Sequence, residues 1–190
     1  MNDALISGAL LFSPLFVGML AHGLCIRFGF LRGLAVPIDR GRLWRGRRLF
    51  GDNKTYRGLL AVAVGTALGF LLLSARLDRA HRPLLSALPS GSASLLLGFA
   101  VGLAGMFSEL PNSALKRQLD VRPGTQAGGI KGLAFHVLDQ VDVLLGAWLV
   151  LAVVIRPTFG LVLGSALFVY VGHQLITLIG YGLGMRATRR

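Results

Sequence analysis

ALISGALLFSPLFVGMLAHGLCI, residues 4–26, contains no Asp, Glu, Lys or Arg. A helix needs about 20 consecutive, mostly apolar residues to cross the hydrocarbon core of a bilayer. This stretch meets that length, and four more uncharged runs follow it, at 58–75, 83–108, 143–155 and 157–185. The second spans with its flanks. The third carries Pro89, Gly91 and several serines early, so its helix is expected to start near Ala93. The fourth is short alone and reaches spanning length if it extends back to Leu133, admitting Asp139 and Asp142. The fifth, after Pro157, is long enough to cross with tilt. The sequence therefore predicts an all-α polytopic membrane protein with five transmembrane helices, read as a single domain over 1–190.

Composition agrees. Hydrophobic residues make up 54% of the 190 and charged residues 15%, against about 25% charged in soluble domains; mean hydropathy is +0.67. Disorder is excluded by that apolar content. The single cysteine excludes an intramolecular disulfide. The Met1-Asn2-Asp3 start lacks a basic region, so the first run is read as a membrane helix rather than a cleaved signal.

The net charge is +12, which in a soluble chain would suggest nucleic acid. Here topology explains it. Of the 20 Lys and Arg, 16 fall in the loop between the first two spans (loop one), the loop between the third and fourth (loop three), and the tail. Only Arg76, Arg79, Arg82 and Arg156 fall on the other side. The positive-inside rule then puts loops one and three and the C-terminus in the cytoplasm, in an inner or cell membrane, with the N-terminus outside. No nucleic-acid partner is expected.

The eight acidic residues carry more information. Asp3, Asp39, Asp78 and Asp120 read as solvated charges. Asp52, Glu109, Asp139 and Asp142 sit in polar clusters near the cytoplasmic ends of spans. The first cluster, Gly51-Asp52-Asn53-Lys54-Thr55-Tyr56-Arg57-Gly58, precedes span two. It reads as an anion site at a helix start, or as a basic turn capped by Asp52 or Thr55. In the second, Glu109, Asn112, Ser113 and Lys116 recur at spacings of three and four and share one helical face. Pro111 within it is expected to stop or kink span three. In the third, Leu138-Asp139-Gln140-Val141-Asp142, two carboxylates three apart face the same way at the entrance to span four. Intramembrane carboxylates are costly and mark function. A shared proton or a bound cation relieves their repulsion, and Mg²⁺ suits carboxylates that also meet substrate phosphates. Ion pairs to neighbouring Lys or Arg are the structural alternative.

These segments, together with Lys116-Arg117 through Pro123-Gly124, resemble the CDP-archaeol synthases. That family is a branch of the CTP-dependent lipid cytidylyltransferases, which include phosphatidate cytidylyltransferase. The resemblance covers nearly the whole chain. It implies transfer of CMP from CTP to a lipid phosphate, with Mg²⁺ on Asp139 and Asp142 and Glu109 as a metal or supporting ligand. It implies that Asn112, Ser113, Lys116 and Arg117 bind the nucleotide phosphates. Lys54, Thr55 and Arg57 would bind phosphate of CTP or lipid. Two other functions compete. A CDP-alcohol phosphotransferase would need three residues between paired aspartates, where this chain has two. A cation-coupled transporter would be expected to show an internal repeat, and none is visible. His22, His136 and His173 read as packing or interface residues. The pairs Gly65 with Gly69 and Gly180 with Gly184 are small-xxx-small stripes for helix packing or homodimer formation.

Overall fold

The computed structural model describes residues 2–77, 83–121 and 128–182. Among the described residues five helices are long and apolar enough to cross a membrane: α1 (Asn2–Phe28), α2 (Tyr56–Arg76), α3 (Ser92–Gln118), α4 (Gly129–Leu151) and α5 (Phe159–Gly182). The all-α polytopic reading holds. The helix starts fall within a residue of expectation for α3 and four residues early for α4. Asp78, Arg79 and Arg82, the Arg122-Pro123-Gly124 segment, Gly184 and the basic tail lie outside the described residues.

Helix α1 packs along α2 and α5, α2 along α3, and α3 along α4, while α4 and α5 meet along a shorter line. The core at the centre joins Leu11, Phe12 and Leu15 of α1 to Phe70, Val101, Trp148, Leu151 and Leu161. Trp148 is held there by a 3.0 Å hydrogen bond from its indole N–H to Ser165 Oγ. The Gly65–Gly69 stripe is used inside the chain. A Cβ on Gly65 would lie 2.7 Å from Gly18 Cα, and one on Gly69 2.7 Å from Pro14 Cα. This stripe therefore packs α2 on α1 and is not open to a second copy.

The sequence reading of loop one missed one element. Loop one contains a two-stranded antiparallel hairpin, β1 (Leu43–Trp44) and β2 (Arg47–Arg48), with Leu43 opposite Arg48 and Trp44 opposite Arg47. Its two-residue turn, Arg45-Gly46, has φ of 52° and 76°. Positive φ at both central positions is the turn whose twist matches that of paired strands.

Asp39, expected to be a solvated charge, is instead the anchor of this loop. It is 3% exposed. Its carboxylate accepts from Gly41 N at 3.0 Å, Phe50 N at 2.9 Å, Gly51 N at 3.0 Å and Arg48 Nη2 at 2.7 Å. Burial alone would push its carboxyl up. The Arg48 guanidinium and the three backbone N–H groups win and hold it well below the usual carboxylate range. Around this anchor Ile38 N bonds to Lys54 O at 2.8 Å and Tyr56 N to Val36 O at 3.1 Å. The chain thus re-enters the bundle at α2 with Lys54 fixed at the entrance.

Candidate functional site

Loops one and three lie at the same end of the bundle. Arg47 donates to Asp120 Oδ2 at 2.7 Å, and Arg117 Nε donates to Phe50 O at 3.1 Å. The candidate site lies at this end, between α3 and α4.

Helix α3 does not stop at Pro111 but runs on to Gln118. Continuing the helix keeps Glu109, Asn112 and Lys116 on one face, as the spacing predicts. Close approach of α4 brings its aspartates to that face. Gly146, one turn beyond Asp142, makes the approach possible: a Cβ there would overlap the carbonyl of Ala104. Across the gap, Asn112 Nδ2 donates to Asp139 Oδ1 at 2.7 Å and to Asp142 Oδ2 at 2.9 Å. Lys116 Nζ forms an ion pair with Asp139 Oδ1. The second oxygen of Asp142 accepts from Val143 N at 2.7 Å. Asp142 has no basic partner among the described residues, and it feels the negative charges of both Glu109 and Asp139.

Five other candidate residues make no hydrogen bond or ion pair to either aspartate among the described residues. Glu109 forms an ion pair with Lys54, linking α3 to loop one, and its charge is felt by Asp142. Among the described residues no three His, Cys, Asp or Glu side chains gather as a metal group. Arg117 is 9% exposed, and its guanidinium donates to the main-chain carbonyls of Phe50 and Val121. It braces loop one against α3 instead of facing the carboxylate pair. Thr55 is the cap of α2, its Oγ1 accepting from Gly58 N at 3.1 Å. Ser113 is buried and hydrogen-bonds neither aspartate. Arg57 is half-buried, with its Nε shielded from solvent and without a hydrogen-bond partner.

The residues present fit a divalent cation on Asp139 and Asp142. One carboxylate oxygen of each aspartate lies within 2.9 Å of the same Asn112 nitrogen, so the two converge, and a small cation that displaces the amide and draws them closer could be shared between them. Asn112 Oδ1, meanwhile, is buried without a partner. With the amide swung aside, this neutral oxygen is a further candidate ligand beside the two carboxylates. A hard dication takes such ligands, one or two carboxylates with neutral oxygens, and completes its shell with phosphate and water.

The three described histidines behave as packing residues. His136 meets Tyr170 edge-on, with ring centroids 6.3 Å apart. His173 Nδ1 lies 2.6 Å from Gln140 Nε2, joining α4 to α5. His22 packs on Gly58, where a Cβ would stand 3.1 Å from its Nε2.

A family model described as CarS-like, CDP-archaeol synthase, matches residues 9–189. The CDP-archaeol synthase of Methanosphaerula palustris is 32% identical over 165 residues, covering 82% of this chain and 90% of the relative. That of Thermococcus onnurineus is 40% identical over 103 residues, 53% of this chain; there the chain spans about half the length of the relative, 56%. A solved intramembrane enzyme for archaeal membrane lipid biosynthesis shares the fold. Its TM-score is 0.63 at 24% identity, with 89% of this chain and 91% of the other covered.

Proposed function

The chain belongs to the CDP-archaeol synthase family, and on that premise we propose that it transfers CMP from CTP to a membrane lipid phosphate, forming a CDP-lipid and releasing pyrophosphate. The observation that carries this is the meeting of Asp139, Asp142, Asn112 and Lys116 at one end of a membrane-spanning bundle. Carboxylates that gather a cation beside an ammonium, at lipid depth, suit a reaction between two anions.

In that reaction an oxygen of the lipid phosphate bonds to the α-phosphorus of CTP. The bond from that phosphorus to the oxygen bridging the β-phosphate breaks, and pyrophosphate leaves with the electron pair. No protein nucleophile is needed, because the attacking phosphate is already ionised near neutral pH. The protein must instead offset repulsion between a nucleotide with about four negative charges and a phosphate with nearly two.

Lys116 stands where it can turn from Asp139 to a phosphate oxygen. Lys54 is held at the rim by Glu109, so its charge is placed before substrate arrives. Arg57, with no acidic partner among the described residues, adds a second cation at the start of α2. Asn112 keeps the two carboxylates at a fixed separation. Mg²⁺ held by Asp139 and Asp142, with Asn112 beside them, would supply neutralisation of the triphosphate and of the leaving pyrophosphate. The 16-to-4 division of Lys and Arg supports a cytoplasmic site, where CTP is available.

The relatives are named for archaeol, so an archaeol phosphate is the first acceptor to assay, beside phosphatidate. Binding tests the nucleotide choice separately from turnover. In Mg²⁺, CTP should raise the unfolding temperature of the purified protein and ATP should not; protection by ATP alone would overturn the reading.

A further inference from the structure

Loop one exposes large apolar side chains beyond the end of a membrane span. Helix α1 has 27 residues, about 40 Å, and already exceeds the roughly 30 Å hydrocarbon core. The chain beyond it should turn polar. Instead the last residue of α1, Phe28, and Phe30 beyond it are each 60% exposed, and Leu31, Leu34 and Val36 are also exposed. The hairpin adds Leu43, 64% exposed, and Trp44, 52% exposed.

Height in the membrane places these groups together. Helix α2 has 21 residues, about 31 Å, close to the hydrocarbon thickness, which puts Tyr56 at its first turn near the boundary. Arg40 lies over the Tyr56 ring at 5.9 Å. The last turns of the 27-residue α3 lie beside the hairpin, where Trp44 and Arg45 line a groove with Pro111, Leu115 and Leu119.

Basic residues are interleaved with this apolar surface. Arg47, Arg48 and Lys54 pair with carboxylates. Arg27, Arg32, Arg40, Arg42 and Arg45 form no ion pair among the described residues. Arg27 and Arg45 instead lie over Phe28 and Trp44, at 5.9 and 5.4 Å from the ring centroids. A soluble anion would satisfy the arginines without needing apolar neighbours. A bilayer surface satisfies both, because its acyl boundary takes the apolar side chains and its phosphates take the guanidiniums.

We propose that segment 28–36 and the β1–β2 hairpin lie in the headgroup layer beside the site and gather anionic lipid there. The surface itself does not depend on the transfer reading. Its consequence, a raised local concentration of lipid-phosphate acceptor at the entrance held by Lys54, rests on that reading.

The chain has two tryptophans, and Trp148 is in the core at 8% exposure, so fluorescence can test this without turnover. The full chain carrying Trp148→Phe is placed in nanodiscs of phosphatidylcholine alone or of equimolar phosphatidylcholine and phosphatidylglycerol. Trp44 emission should be quenched by lipids brominated near the headgroup end of the acyl chain and shielded from aqueous acrylamide. Brominated phosphatidylglycerol should quench more strongly than brominated phosphatidylcholine at equal mole fraction. Arg42→Gln with Arg45→Gln should cut that preference, by up to roughly fivefold per arginine. If Trp148→Phe fails to fold, Trp44→Phe in the otherwise unaltered chain should remove the lipid-quenched component. Free quenching by acrylamide would put the hairpin in water. Shielding from both quenchers would put protein over it. Equal quenching by the two lipids would remove the anionic preference. Each of these three results overturns the proposal, and none bears on CTP transfer.

Discussion

Asn112 of α3 donates a 2.7 Å hydrogen bond to Asp139 of α4, across the helix interface at the loop-one end of the bundle. The same nitrogen reaches Asp142 at 2.9 Å, so one amide holds both carboxylates of the motif. Asp139 also has Lys116 as a counterion, whereas Asp142 has no basic partner among the described residues. That asymmetry makes Asp142 the sharper probe of the metal proposal.

Asp142→Asn should leave a folded membrane protein and lower Mg²⁺-dependent turnover by at least about 10²-fold. Asn keeps the size and an oxygen but removes charge a hard dication requires. It also relieves repulsion from Glu109 and Asp139, so unfolding temperature in EDTA should hold or rise. If Asp142 were only a structural group, its replacement would lower stability in EDTA while Mg²⁺-dependent activity persisted.

Lys54→Gln should lower kcat/KM for CTP by on the order of 10²-fold, the scale for loss of one preorganised charge at a reacting phosphate. Glu109→Gln should cost less than about tenfold, because Lys54 keeps its charge and loses only its tether. Equal losses in the two variants would make the ion pair itself, and not the lysine, the functional unit.

Arg117→Gln should act on stability. Its guanidinium holds the carbonyls of Phe50 and Val121, and a hydrogen bond to a charged donor is worth about 1.5–3 kcal/mol. Thermal unfolding in detergent should fall by several degrees, with KM for CTP in the folded fraction little changed. A raised KM at unaltered stability would return Arg117 to the nucleotide site.

Asp39→Asn should destabilise loop one at neutral pH by roughly 2–4 kcal/mol. The direction with pH follows from the lowered carboxyl of Asp39. Its contribution is complete above the unfolded carboxylate value, about 4. It is lost as pH falls from there through the lower folded value, where the folded state too takes up the proton. The parent should therefore lose stability on acidification below about pH 4, and Asp39→Asn should show a flatter acid limb. Hydrogen exchange at Phe50 and Gly51, whose N–H groups bond Asp39, reports it locally.

Five spans were legible because charge is excluded from hydrocarbon, and the gaps between charges measure span length directly. That Asp139 and Asp142 share one face, and Asn112 and Lys116 another, was legible because helical spacing of three and four puts side chains on one face; that the two faces meet was not. Periodicity carries no information on what happens between elements, and the misplacements lie there. Asp39 looked solvated because, besides Arg48, its partners are backbone N–H groups, two of them 11 and 12 residues away, which no side-chain pattern records. Its one local signal was the Asp39-Arg40-Gly41 turn, in which the carboxylate accepts from Gly41 N. Arg117 sits beside Lys116 in sequence, yet about 100° of helical rotation sends it to the carbonyl of Phe50. Arg45-Gly46 was a hairpin signal, masked by the density of arginines around it.

The central claim is tested most directly by following the α-phosphate of CTP. Purified protein in detergent is supplied with Mg²⁺, CTP labelled at the α-phosphate, and either archaeol phosphate or phosphatidate. The expected result is label in the lipid fraction as a CDP-lipid, one pyrophosphate released per lipid labelled, and neither product with Asp142→Asn. Pyrophosphate release without labelled lipid, or label transfer undiminished in Asp142→Asn, would contradict it.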